Sequence, residues 1–211
     1  MPRRRLRVTI PSRRYSSFMT TEEVSGRRVG TRERILEAGY AVAGQSGVAA
    51  VTLDAVANRA GVSKGGLLYH FPSKEALVSG MVDGLCGTFA DLADAAASAD
   101  PVPAGRSARA YLAASAGELW QSSRWLALVG ALLVRPDLLD SWRTWVAAGR
   151  AADEAESADP VAAAIVRLAA DGLWLAGVLG LPAPDQPLRT AILAELDQMT
   201  RGPRPRQEGP E

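Results

Sequence analysis

Lys64, Tyr69, His70 and Lys74 lie close together along the chain, and all four side chains can donate hydrogen bonds to anionic oxygens. A lysine in the first turn of a helix suits guanine O6 and N7, and tyrosine, histidine and lysine suit phosphate oxygens. Gly65 and Gly66 stand between these donors, and each costs a helix about 1 kcal/mol relative to Ala. Such glycines are tolerable where the backbone must approach another surface closely. Other chemistries lack their residues. The chain has one histidine, His70, and one cysteine, Cys86. That leaves no disulfide within the chain, no CxxC pair, no HExxH and no multi-histidine metal site. A Ser-His-Asp triad would depend on His70, and no GxxxxGK[ST] phosphate loop occurs. The expectation is therefore a protein that is not an enzyme, with no cofactor and no metal.

Two short helices must position these donors. Thr52 is placed to cap the first, with Val51 before it and Val56 at the matching staple position, and Gly61 supplies the left-handed residue that ends it. The pattern repeats at once, with Ser63 as cap, Val62 before it and Leu67 at the staple position. Ser73 then caps a longer helix opening Lys74-Glu75-Ala76-Leu77. A preceding helix starts at Thr31, read as its cap, with Glu33 in its first turn and Ile35, Ala38, Gly39 and Val42 along one face. Two capped helices around a glycine turn form a helix-turn-helix, although similar pairs also occur in proteins that never touch DNA. Charge separates the two readings. Residues 1–80 carry 13 Arg/Lys against 6 Asp/Glu, and residues 81–211 carry 11 against 17. A basic front half favours a polyanionic partner. Residues 1–30 hold eight arginines without helical periodicity and read as a disordered basic tail. Arg27 and Arg28 are expected to join the DNA-tracking arm. Residues 1–18 either belong to that arm or precede a true start at Met19.

The segment Thr31–Gly80 resembles the N-terminal domain of the TetR (tetracycline-repressor) family of bacterial regulators. The likeness is carried by Arg34-Ile35-Leu36-Glu37-Ala38, by Thr52-Leu53-Asp54-Ala55-Val56-Ala57 and, most specifically, by the run from Ala60 to Leu77. The resemblance implies that Thr31 and Thr52 touch backbone phosphates, that Lys64, Gly65 and Leu68 face base edges, and that Tyr69, His70 and Lys74 hold the DNA backbone. Ser63 opens the recognition helix. Family members often carry a larger polar residue at the position of Gly66 and an aromatic at that of Leu68, so base readout here rests more on Lys64 and on DNA shape.

The whole chain reads as all-α, with about nine helices and no alternating strand pattern of useful length. The expected organisation is a basic tail over 1–30, a helix-turn-helix domain over 31–78, a helical ligand-binding and dimerisation domain over 79–200 and a disordered tail over 201–211. In the second domain, helices are expected over 74–97, 107–122, 124–134 and 136–152, with a polar acidic link at 153–159. Next comes an apolar helix over 161–180, where Val161, Ile165, Leu168, Gly172, Leu175 and Leu179 follow a 4-3-4-3-4 spacing. With Leu188, Ile192 and Leu196 of a final helix, this seam is expected to form a four-helix dimer interface; burial within one monomer is the alternative. Arg167 and Asp171 within the apolar stretch, and Pro160 and Pro182 around it, argue against a membrane span. Without a signal-peptide pattern the expected location is the cytoplasm.

Trp120, Trp125, Trp142 and Trp145 cluster within 26 residues, with Trp174 further on. They are read either as core packing or, with Leu128, as an aromatic-lined pocket for an apolar or aromatic effector. The resemblance places such a pocket in the C-terminal domain. The leading expectation is a homodimeric repressor, released from a palindromic operator by a small molecule. Two other readings are a helical carrier or enzyme with a vestigial head, and an architectural DNA binder without a sensor.

Overall fold

The computed structural model describes residues 30–117, 125, 136–157, 159–182 and 184–201. Among these every regular element is helical: α1 Thr31–Ser46, α2 Leu53–Ala60, α3 Lys64–His70, α4 Lys74–Ala99, α5 Arg106–Ala116, α6 Asp140–Glu156, α7 Pro160–Leu179 and α8 Gln186–Met199. Two short 3-10 turns, Val48–Ala50 and Pro136–Leu139, precede α2 and α6. The expected helix over 124–134 lies largely outside the described residues, as do Arg27, Arg28, Trp120 and Leu128.

The chain forms two compact units, 1–91 with 118–145, and 92–117 with 146–211. In the first, α1, α2 and α3 bury Ile35, Leu36, Tyr40, Val51, Val56 and Leu67. The Tyr40 hydroxyl donates to the Met81 carbonyl at 2.7 Å, which ties α1 to α4 and satisfies a buried polar atom. Phe89 lies edge-on to both Trp142 and Trp145, with ring centroids 5.0 and 5.7 Å away, and the two indoles stack on each other at 5.0 Å.

In the second unit α5 packs against α7 and α8. Small residues are buried on both helices, Ala108, Ala110 and Ala114 on α5 and Ala162, Ala163 and Ala170 beside Val166 on α7. Arg109 ties the unit's ends together. Its guanidinium donates to Asp100, to the carbonyls of Val102 and Ala104, and to both oxygens of Thr200, beyond the end of α8. Asp100 is held below the usual carboxylate range, chiefly by that hydrogen bond from Arg109.

Three expectations change here. Thr31 is the first helical residue and Gly30 is the cap, without a side-chain cap bond. Helix α5 stops at Ala116, where Gly117 takes an extended conformation, short of the expected residue 122. The acidic link begins late, because α6 continues to Glu156. Asp153, expected in that link, is instead buried beside Arg167 of α7. The pair explains the longer helix: an α6 carboxylate neutralises a guanidinium that α7 carries into the core.

Candidate nucleic-acid interface

The caps that aim α2 and α3 are formed. Thr52 Oγ1 accepts from the Ala55 amide at 3.2 Å, Ser63 Oγ from the Gly66 amide at 3.0 Å and Ser73 Oγ from the Ala76 amide at 3.1 Å. Each satisfies an amide that the first turn of its helix leaves orphaned. Gly61 takes φ +66°, the left-handed conformation that lets its own amide and that of Val62 close the α2 C-terminus.

With Leu67 and Phe71 buried, α3 turns Lys64, Gly65, Leu68 and Tyr69 outward, and Tyr69 is 86% exposed. The 3.6-residue period puts these positions on one face, so the side chains expected to meet DNA share a surface. A Cβ added at Gly65 would meet nothing within 4 Å. Nothing inside the described protein therefore requires glycine there. His70, half-buried, is edge-on to Tyr69 at 5.1 Å. Thr52 and Ser63 are exposed at the starts of their helices, and Thr31 is half-buried at the start of α1.

Two of the expected cations are already engaged within the protein. Lys74 Nζ donates to the Ala49 carbonyl at 3.2 Å, which anchors the start of α4 to the turn before α2. Lys64 Nζ lies 3.0 and 3.2 Å from the two carboxylate oxygens of Asp54 on α2. In the sequence Asp54 stands out only as a member of the family-like stretch from Thr52 to Ala57. The sole signal for this pair is an acidic residue in the first turn of one helix and a lysine opening the next, and only the geometry of the turn brings them together. Arg32 of α1 lies over the Phe71 ring at 5.2 Å, a cation–π contact that packs the start of α1 on the end of α3.

The described residues expected to bind an effector belong to both units. Trp142 and Trp145 belong to the aromatic stack with Phe89, and Trp125 is buried. Trp174 belongs to the other unit and donates from Nε1 to Asp171 at 3.3 Å. A pocket of 360 Å³ in the first unit is lined by Glu75, Ser79, Asp83, Asp137 and Asp140 among others, and by none of these tryptophans.

The α7 seam stands clear of its own unit. Val161 is 68% exposed and Leu168 61%, and Ile165, Gly172, Leu175 and Leu179 are exposed with them. On α8, Leu188 is exposed, Ile192 is half-buried and Leu196 is buried within the unit.

Residues 35–81 match the family model of bacterial regulatory proteins of the tetR family, and residues 105–201 match that of the tetracyclin repressor-like C-terminal domain. A curated relative, the HTH-type transcriptional regulator TtgR of Pseudomonas putida, is 40% identical over 72 residues, 34% of each chain. The chain thus spans about a third of the length of that relative. The solved structure of a TetR-family transcriptional regulator from Rhodococcus sp. shares the fold with a TM-score of 0.62. It is 19% identical, and the match covers 81% of this chain and 98% of that one. The multidrug binding protein EbrR, solved with malachite green, has a TM-score of 0.58 at 24% identity, covering 80% and 97%. Two models of one family together span the helix-turn-helix and most of the second unit, and the chain belongs to the TetR family of bacterial regulatory proteins.

Proposed function

We propose that the protein is a homodimeric transcriptional repressor that binds a near-palindromic operator and is released from it by a small apolar or aromatic effector. The observation that carries the reading is the outward face of α3, where Lys64, Gly65, Leu68 and Tyr69 stand together on a helix fixed by its Ser63 cap. A helix so presented suits the major groove: Lys64 is the base-edge donor, and Tyr69, His70 and Lys74 serve the phosphates on either side. Arg27 and Arg28 would extend the phosphate contacts. Thr31, Thr52 and Ser63 add hydroxyls beside them.

The exposed apolar row on α7 supports a dimer. Val161, Ile165, Leu168, Leu175 and Leu179 form a continuous hydrophobic stripe, and a Cβ at Gly172 would meet nothing within 4 Å. A second copy of the same stripe, with Leu188 and Ile192 beside it, would cover it in a twofold arrangement. Two heads related in this way read half-sites about 34–36 Å apart. The multidrug binding protein EbrR, solved with malachite green, supports an aromatic effector. An effector acts by favouring a dimer with different head spacing, and only its differential affinity for the two states drives release. A cytoplasmic location follows from the same reading.

The test is selection of duplexes from a random-sequence library by the full chain, followed by a small-molecule screen for release of the selected duplex. The expected result is a near-palindromic sequence bound by two protomers, lost in Lys64→Ala, and released by at least one apolar aromatic compound. Failure to enrich any sequence would overturn the reading.

A further inference from the structure

The Lys64–Asp54 pair lies in the middle of the surface just described. Both side chains are open to solvent, at 59% and 67% exposure, and the ammonium straddles the two carboxylate oxygens at 3.0 and 3.2 Å. A pair so exposed adds little to the fold. Its consequence for a bound polyanion is larger in kind. An untethered lysine on a flexible stem meets any phosphate it can reach, and that attraction is independent of sequence. Asp54 sets a negative charge beside the one lysine of α3 and occupies its ammonium in the absence of DNA. The pair must be given up, or shared, before Lys64 engages DNA, and a guanine edge offers two directed acceptors where a phosphate offers a diffuse charge.

We propose that Asp54 is a positioning residue that determines specificity: its carboxylate holds the Lys64 ammonium back from phosphates at random sequence and releases it, or shares it, at a guanine edge. The inference deepens the DNA-binding reading above and rests on it. Asp54 lowers binding to random DNA more than binding to the operator, so discrimination increases at the expense of total affinity.

The experiment uses the full chain as wild type, Asp54→Asn, Asp54→Glu, Lys64→Ala and the double variant Lys64→Ala/Asp54→Asn. The probes are the duplex selected by the wild-type protein and a random-sequence duplex of equal length, each titrated across a salt series. Thermal unfolding confirms that the variants remain folded. Asp54→Asn is expected to bind the random duplex about two- to fivefold tighter, the equivalent of releasing one exposed ion pair. Its log–log salt slope should steepen by up to about one, and its preference for the selected duplex should fall. Asp54→Glu should recover the wild-type preference, and Asp54→Asn should add little in the Lys64→Ala background. An unchanged preference and slope in Asp54→Asn would overturn the proposal, as would an equal gain without Lys64, which would mark simple charge removal. Loss of preference at a single C·G pair, with random binding unchanged, would also overturn it and make Asp54 itself a reader of cytosine N4. If the wild type selects no sequence, the DNA-binding reading fails first and this proposal with it.

Discussion

Helix α3 exposes Lys64, Gly65, Leu68 and Tyr69, whereas α7 exposes Val161, Ile165, Leu168, Leu175 and Leu179. On α3 the outward face holds two donors, a glycine and a single leucine, and the donors have chemistry that suits a polyanion. The outward face of α7 is almost wholly aliphatic, and its exposure leaves an apolar stripe in water. The inward faces reverse the contrast. Behind α3 lie Leu67 and Phe71, while α7 buries Arg167 among Asp153, Ser107 and Tyr111. Helix α7 thus carries one charge inward among Ala162, Ala163, Val166 and Ala170, and an aliphatic row outward, so that both of its faces are largely apolar. A cation can lie inward only because α6 supplies a carboxylate and α5 an aromatic ring for it. The outward stripe is the face that the proposed dimer would cover.

The largest effect should come from the buried charge. Arg167 donates from Nε to Asp153, and the two side chains are 4% and 6% exposed. Asp153→Ala leaves the guanidinium without its counter-charge and should cost about 3–5 kcal/mol in urea unfolding. Replacing both residues with Leu and Met should recover most of that loss. A cost below about 1 kcal/mol for the single change would show that Arg167 finds another way to be neutralised.

Next in size is the outward face of the same helix. Leu168→Glu places a carboxylate in the proposed dimer seam twice, once per protomer. It should weaken dimerisation at least about a hundredfold in sedimentation equilibrium. The folded protomer should tolerate it, since Leu168 is exposed. An unchanged dimer would move the interface away from α7.

On α3, Gly65→Ala separates folding from function. The added Cβ has open space and Gly65 needs no left-handed conformation, so the fold should gain about 0.5–1 kcal/mol. Binding to the selected duplex should nevertheless fall by about tenfold or more, because the methyl group meets DNA that approaches the backbone. A gain in both properties would remove Gly65 from the interface.

The smallest effect is a pH dependence in the second unit. Asp100 has a folded pKa lowered by Arg109, below the unfolded value of about 3.9. Its stabilisation is therefore complete above that value and is lost as the pH falls through the folded pKa. The melting temperature should drop in that acid window, and Asp100→Asn should flatten the drop while lowering stability at neutral pH.

What could be read from the chain depended on how far apart the interacting groups lie. The caps at Thr52, Ser63 and Ser73 were legible because each bonds an amide three residues away, and Gly61 because only a left-handed residue closes α2. Helical periodicity likewise placed Val161, Ile165, Leu168, Leu175 and Leu179 on one face of α7. Lys64–Asp54 and Arg167–Asp153 were not legible, since each joins two helices whose relative placement no local rule supplies. Asp153 was misplaced for a related reason: its acidic surroundings suggested a solvated link, and the basic partner that buries it lies fourteen residues on, in the next helix. The tryptophans showed the limit of composition. Spacing could not foretell that Trp142 and Trp145 stack with Phe89 while Trp174 belongs to the other unit.

Whether the outward face of α3 reads DNA in the major groove is decided by methylation interference at guanine N7. The selected duplex is partly methylated, bound by the full chain, and the bound and free fractions are compared. Interference is expected at guanines in two clusters about one helical turn apart, with the pattern weakened in Lys64→Ala. Binding that N7 methylation leaves undisturbed throughout the duplex would contradict major-groove reading by α3.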